Sequence, residues 1–122
     1  MTRIYVPATL DLLADWYAAG ELPSAADGYA AADDGEETEY AALMSAADDS
    51  TALLAGAGRR VVVVVDAPDK IAHHLETQVV PLKLVAAVHA DLADRPAGAD
   101  PDEDLGWFAT QEIPELVAQR ER

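Results

Sequence analysis

The distribution of apolar positions along the chain divides it into short segments of differing period. Arg3-Ile4-Tyr5-Val6 is a β-branched and aromatic run ending at Pro7, the composition of a first strand that stops at a turn. Thr9 precedes Leu10, Leu13 and Tyr17, which fall on one face at helical spacing with Leu12 and Trp16 beside them, and Gly20 follows. A hydroxyl that accepts from free N–H groups at one end, and glycine at the other, predict a helix over 10–19. Gly28 to Ala32 reads as a short strand, since Pro23, Gly28 and the alanines leave little period around it. Glu36, Glu37 and Glu39 then open a segment whose Tyr40, Leu43, Met44, Ala47 and Leu54 recur at three- and four-residue steps. Acids suit the positive end of a helix dipole, so a helix is predicted over 36–55, ending before Gly56.

Val61 to Val65 are five consecutive valines with no polar alternation, the signature of a strand covered on both faces. Together with the order strand, helix, strand, helix before it, this predicts an α/β fold: one small domain over 1–122, with a mixed or mostly parallel sheet of four to five strands and two to three helices. Antiparallel edges are compatible with the same pattern. Val79-Val80-Pro81 and the stretch over 85–90 supply further strand material, although Pro81 bars a continuous central strand there. Between Asp91 and Asp104 the chain turns to Asp, Ala, Pro and Gly, which predicts a flexible surface loop over 92–104. Gly106 to Thr110 reads as a last strand and Pro114 to Ala118 as a closing helix begun by proline, with one helix across both as the competing reading. The sequence holds no internal repeat.

Composition narrows the chemistry. The chain has 122 residues, 8 basic and 23 acidic, for a net charge of −15. Between Arg3 and Arg59 there are eleven acids and no basic residue. Such a field repels phosphate backbones and anionic membranes, so neither nucleic acid nor membrane is expected as a partner. The plainest role of the acids is to keep an Ala-rich protein in solution. A rarer one is mimicry of nucleic acid toward a basic partner. The absence of cysteine removes thiol nucleophiles, disulfides, zinc–cysteine sites and iron–sulfur clusters. No segment approaches the ~18 apolar residues of a membrane span, and the N-terminus has no secretory pattern, so a cytoplasmic location is expected.

Motifs are sparse. There is no phosphate loop, dinucleotide fingerprint or nucleophile elbow, and no cofactor is implied. His73, His74 and Glu76 cannot share a metal on regular backbone, because neighbouring side chains diverge. The acidic runs over 33–37 and 100–104 lack the ligand spacing of a calcium loop. If the sheet is parallel, the carboxyl ends of its strands deliver Thr9, Asp66, Asp69, His89 and Asp91 to one crevice. Asp66 and Asp91 would then hold a cation or share a proton, His89 would act as acid or base, and Thr9 would mark an anion-accepting helix start. The plainer reading makes Thr9 an ordinary cap, the aspartates turn formers and His89 a half-buried strand residue. Trp16, Tyr17, Trp107 and Phe108 lie in predicted regular elements, which favours core packing over a ligand platform, whereas an exposed Trp107 would indicate an interface.

Three blocks carry a family resemblance: Arg3-Ile4-Tyr5-Val6-Pro7-Ala8-Thr9-Leu10, Val85-Ala86-Ala87-Val88-His89-Ala90-Asp91 and Trp107-Phe108-Ala109-Thr110-Gln111-Glu112-Ile113. Together they resemble an uncharacterised family of small acidic actinobacterial proteins, a domain of unknown function, which brings no activity with it. The resemblance groups Pro7, Thr9, His89, Asp91, Gln111 and Glu112, and it implies a longer helical stretch between Asp91 and Trp107 than this chain shows. Two functional expectations follow. One is a binding or protein-interaction module with an apolar or aromatic surface in an acidic field, for which a homodimer fits and Thr9, Trp107 and Gln111 are candidate contacts. The other is a metal-assisted or hydrolase-like enzyme using Asp66, His89, Asp91 and Glu112, which requires those side chains to converge.

Overall fold

A computed structural model describes residues 1–121 of the chain. Its elements are β1 (Thr2–Ala8), α1 (Leu10–Ala19), β2 (Glu21–Leu22), β3 (Tyr29–Ala30), α2 (Glu36–Leu54), β4 (Val61–Ala67), α3 (Asp69–Ala72), β5 (Val80–Pro81), β6 (Val85–Ala90), β7 (Gly106–Phe108) and α4 (Ile113–Ala118). Five strands form one sheet in the order β3-β1-β4-β6-β7, and β2 pairs with β5 in a second, two-stranded sheet.

Every neighbouring pair in both sheets is antiparallel, which overturns the mixed or mostly parallel sheet expected from the sequence. The described residues form four α-helices, above the two to three expected. The physical reason lies in what α2 connects. Because β3 and β4 are both antiparallel to β1, they run parallel to each other, and α2 is the crossover between them. Strand β1 is inserted between the two, so the strand–helix–strand pattern is present while no parallel pair forms.

Local signals account for the elements themselves. The Thr9 hydroxyl accepts from Leu12 N–H at 3.1 Å, and Gly20, at φ 77°, closes α1 by donating to the carbonyls of Trp16 and Tyr17. Strand β1 runs through Pro7 because β3 flanks it only at Ile4 and Tyr5, so the outer side of β1 at Pro7 is a sheet edge, where proline is tolerated. Helix α2 ends one residue before the expected limit, with Ala55 in the left-handed region at φ 53°. Gly28 is required by a close approach, since a Cβ there would stand 2.5 Å from Ile4 Cγ2.

The five valines of β4 are buried on both faces. One face packs Val61, Val63 and Val65 with Ile4 and Val6 against Leu13 of α1 and Ile113 and Leu116 of α4. On the other face, Val62, Val64 and Tyr5 meet Ala42, Ala46 and Ala47 of α2, whose small side chains let the helix lie close to the sheet. Ser50, fully buried on α2, joins the two central strands: its Oγ donates to the Ala8 carbonyl at 2.6 Å and accepts from Val61 N–H at 2.9 Å. Replacing Ser50 by alanine leaves a buried carbonyl and a buried N–H unpaired, with an expected loss of about 1–3 kcal/mol. Urea denaturation followed by far-UV circular dichroism should show the midpoint fall with the slope unchanged, and an unaltered midpoint would contradict this role.

Candidate functional site

The strand register decides which of the sequence-predicted residues meet. Ala8, Val61, Ala90 and Gly106 are in line across the sheet, so Thr9 and Asp91 lie at the same end. Asp66 is five residues farther along β4 than Val61, which at ~3.4 Å per residue puts it about 17 Å away at the opposite end. Gln111 and Glu112 follow β7, which runs against β6 and carries them away from Asp91. The crevice at the carboxyl ends of parallel strands therefore does not exist here, and the side chains of the enzyme reading are not brought together.

Each of these residues has a local partner. Asp66 accepts from Arg3 Nε at 3.0 Å, and Arg3 also pairs with Glu39 of α2 at 3.2 Å, tying β1, β4 and α2 around a polar cleft. Asp69 begins α3, and its carbonyl accepts from His73 N–H at 3.0 Å. Glu112 Oε2 accepts from Ala109 N–H at 2.7 Å and caps the turn before α4. Gln111 is exposed beside it. His73, His74 and Glu76 are exposed after α3, and among the described residues no three His, Asp or Glu side chains are arranged to hold a metal ion.

Asp91 is buried, at 6% exposure, against Arg60, at 1%. Its Oδ2 accepts from Arg60 N–H at 2.8 Å and from Arg60 Nε at 3.0 Å, while its Oδ1 accepts from Arg60 Nη2 at 2.8 Å. Arg60 donates onward to the carbonyls of Pro101 and Glu103, at 3.2 and 2.7 Å. The pair fixes the end of β6 to the start of β4 and secures the loop over 92–104, which forms neither helix nor extended strand. Removing either partner would strand a buried charge, at a cost of about 3–5 kcal/mol. Asp91 is thus held as a structural ion-pair partner.

The row Pro7, Val62, His89, Trp107 crosses the sheet on the face that α2 covers, with Pro7 and Val62 buried, His89 half-buried and Trp107 62% exposed. The expectation of core packing fails for Trp107 and for Tyr17, which is 40% exposed, while Trp16 and Phe108 do pack against the core.

The concave apolar surface lies elsewhere, along the β1 edge beyond β3. A groove of about 760 Å³ runs between α1 and α2, walled by Leu12 and Trp16 on one side and Ala52 and Leu53 on the other, with Pro7 in its floor and Pro23 and Tyr29 along the chain that crosses it. The segment before β3 is fixed by Ser24, whose Oγ donates to the Leu75 carbonyl and accepts from Ala26 N–H, both at 2.9 Å. Tyr29 OH donates to Asp49 Oδ2 at 2.7 Å, joining β3 to α2 across the groove and raising the phenol's affinity for its proton. Asp27 and Asp49 line the groove and no basic residue does. Sequence reasoning missed it because Leu12 and Trp16 flank the helical stripe and look like core. The only available signal was the breadth of that stripe, wider than one sheet face needs.

His89 generates a prediction on pH. Burial lowers its pKa from the usual histidine value, so the folded chain binds that proton less readily than the unfolded chain. The associated stability is full above about pH 6.5 and is lost as pH falls through the lowered folded value. Between pH 7.5 and 5.5 the wild type should lose more stability than His89→Gln in parallel thermal melts. Equal losses would show that the ring titrates as it does in the unfolded chain.

No curated protein and no solved structure matches the chain. A family model does: residues 2–117 match a family of unknown function (DUF6912), and the chain belongs to that family.

Proposed function

We propose that this chain is an acidic cytoplasmic binding module whose groove between α1 and α2 receives a segment of a partner protein, an apolar side chain flanked by lysine or arginine. The observation that carries the reading is the composition of the groove: Trp16, Leu12, Leu53 and two prolines form its apolar lining, and Asp27 and Asp49 are its charged members. Its volume of about 760 Å³ lies in the range of ligand-binding clefts, which combine apolar walls with a few polar groups that set orientation. A ligand bringing cations to those carboxylates also meets attraction from the whole acidic surface. Nothing in the geometry favours the metal-assisted or hydrolase-like alternative.

The test uses tryptophan fluorescence in a Trp107→Phe background, so that Trp16 alone reports. Peptides carrying leucine or phenylalanine between lysines should perturb Trp16 with a binding midpoint at least tenfold lower than the same peptides with glutamates. Added salt and Leu53→Arg should each weaken binding. Equal response to basic and acidic peptides, or none, would remove the reading.

Trp107 supports a second reading, self-association. It stands on β7, an edge strand that pairs with β6 alone, and it is the largest apolar side chain left open on its face. An isologous contact between two β7 edges would cover both tryptophans. Sedimentation velocity across a concentration series should then show a dimer that Trp107→Ser converts to monomer, and a monomer at all concentrations would exclude it.

A further inference from the structure

We propose, resting on the reading of the groove between α1 and α2 as a partner site, that its occupant is a proline-rich segment in the left-handed polyproline helix, with an arginine seated at Asp49. This names the conformation and the composition of the segment, and the groove can be a partner site without it.

The sheet edge in the floor disfavours the obvious alternative, an added β-strand. Backbone groups along a strand turn alternately to its two sides. The Arg3 carbonyl accepts from Ala31 N–H on the β3 side, so Arg3, Tyr5 and Pro7 turn theirs to that side. Strand β3 pairs with Ile4 and Tyr5 and stops, and the next outward position is Pro7, which is buried and has no N–H. An added strand would find no donor there and would leave its own carbonyl unpaired against an apolar wall. A polyproline helix has no such need. It makes no internal hydrogen bonds, keeps its backbone solvated, and has no N–H to satisfy at each proline.

The walls suit that occupant in three respects. Pro23 and Tyr29 are exposed and Trp16 is half-buried, which gives the rigid ring surfaces on which proline-rich segments dock. The groove also keeps one donor for a ligand carbonyl. The hydroxyls of Ser24 and Tyr29 are committed to the Leu75 carbonyl and to Asp49. The Trp16 indole N–H has no partner among the described residues and is not among the buried atoms left unpaired, so solvent reaches it. Finally, Asp49 and Leu53 are four residues apart on α2, on one face and about 6 Å apart along its axis. A polyproline helix advances ~3.1 Å per residue, so positions two apart span the same length. An arginine two positions from a proline therefore reaches Asp49 while the proline meets Leu53. Asp49 Oδ2 accepts from Tyr29 and leaves Oδ1 for the guanidinium, whose plane can also lie on an aromatic ring.

The experiment titrates the ¹⁵N-labelled full chain with three capped peptides. The first is two repeats of Arg-Ala-Pro-Pro-Ala-Pro, the second has leucine for every proline, and the third has glutamate for every arginine. The signal followed is the Trp16 indole cross-peak, identified by its survival in Trp107→Phe. The first peptide should shift it to saturation with a midpoint about tenfold below that of the leucine peptide, because a preformed helix has less freedom to lose on binding. The glutamate peptide should give no saturable shift, and Asp49→Asn should weaken the first peptide severalfold. A leucine peptide that binds as tightly as the first overturns the polyproline inference and leaves the groove as a partner site. Undiminished binding of the first peptide to folded Asp49→Asn overturns the seat given to arginine. Silence of the Trp16 peak toward both basic peptides removes the inference together with the reading it rests on.

Discussion

Five consecutive valines in β4 must be kept from water on both faces, and the rest of the fold is arranged to do it. One cover is α2, which presents alanines at positions 42, 46 and 47 and can therefore lie close to β1 and β4. The other is assembled from pieces, with α1, α4 and the β2–β5 pair contributing Leu13, Ile113, Leu116, Leu22 and Val80. Small residues on the first side and large ones on the second reflect the two geometries. A single helix crossing close to the strands fills space with backbone, whereas a looser second layer needs long side chains to reach the sheet. Each cover also ends somewhere. Helix α2 packs over β1, β3 and β4 and leaves the β6–β7 side of that face less covered, which is why the row from Pro7 to Trp107 grades from buried to open.

The ends of β4 carry the polar consequences. Arg60 immediately precedes the valines and is itself buried, so it needs a carboxylate within the fold, and Asp91 at the end of β6 provides one. An ion pair in that position also opposes a slip in strand register, since moving β6 by one residue would separate the charges as well as exchange the faces of its side chains. Ser50 has a related part from the helix side, satisfying one group on β1 and one on β4. Among the described residues, Arg60, Asp91 and Ser50 are the only buried polar or charged ones, and all act where the central strands begin or end.

Elements with short-range physics were legible in the sequence. The helix over 10–19 has its cap and its glycine stop, and the strand over 85–90 agrees with the structure residue for residue. The strand direction was not legible. A run of valines records burial on two faces, and a helix between strands records a crossover, but neither records that β1 would enter between β3 and β4. The candidate site shared this fate, because residues at the ends of strands meet or separate according to strand direction. With β4 antiparallel to both neighbours, Asp66 and Asp91 went to opposite ends. Trp107 was unreadable for another reason: an aromatic residue in a strand looks the same whether a helix covers that part of the sheet or stops short of it. The groove depended on the packing of two helices from opposite faces of the sheet, which no local pattern encodes.

Charge distribution gives the last step. The net charge of −15 understates how anionic the outside is, because the cations are largely engaged within the molecule. Arg3, Arg59, Arg60, Arg95 and Arg120 each stand within ion-pair distance of a carboxylate, and three of these, Arg59, Arg60 and Arg95, are largely withdrawn from the surface. Exposed pairs of this kind add little to stability. Their effect is on the field: each arginine cancels a carboxylate beside it and leaves the remaining acids unopposed. The segment from α1 through α2, which has no basic residue, therefore projects an unbroken negative potential around the groove it builds. Beneath the loop over 92–104, Arg60 and Arg95 are set against Asp91, with Glu103 beside Arg95, so their charges are met within the molecule. A cation approaching the chain is consequently drawn toward that acidic surface.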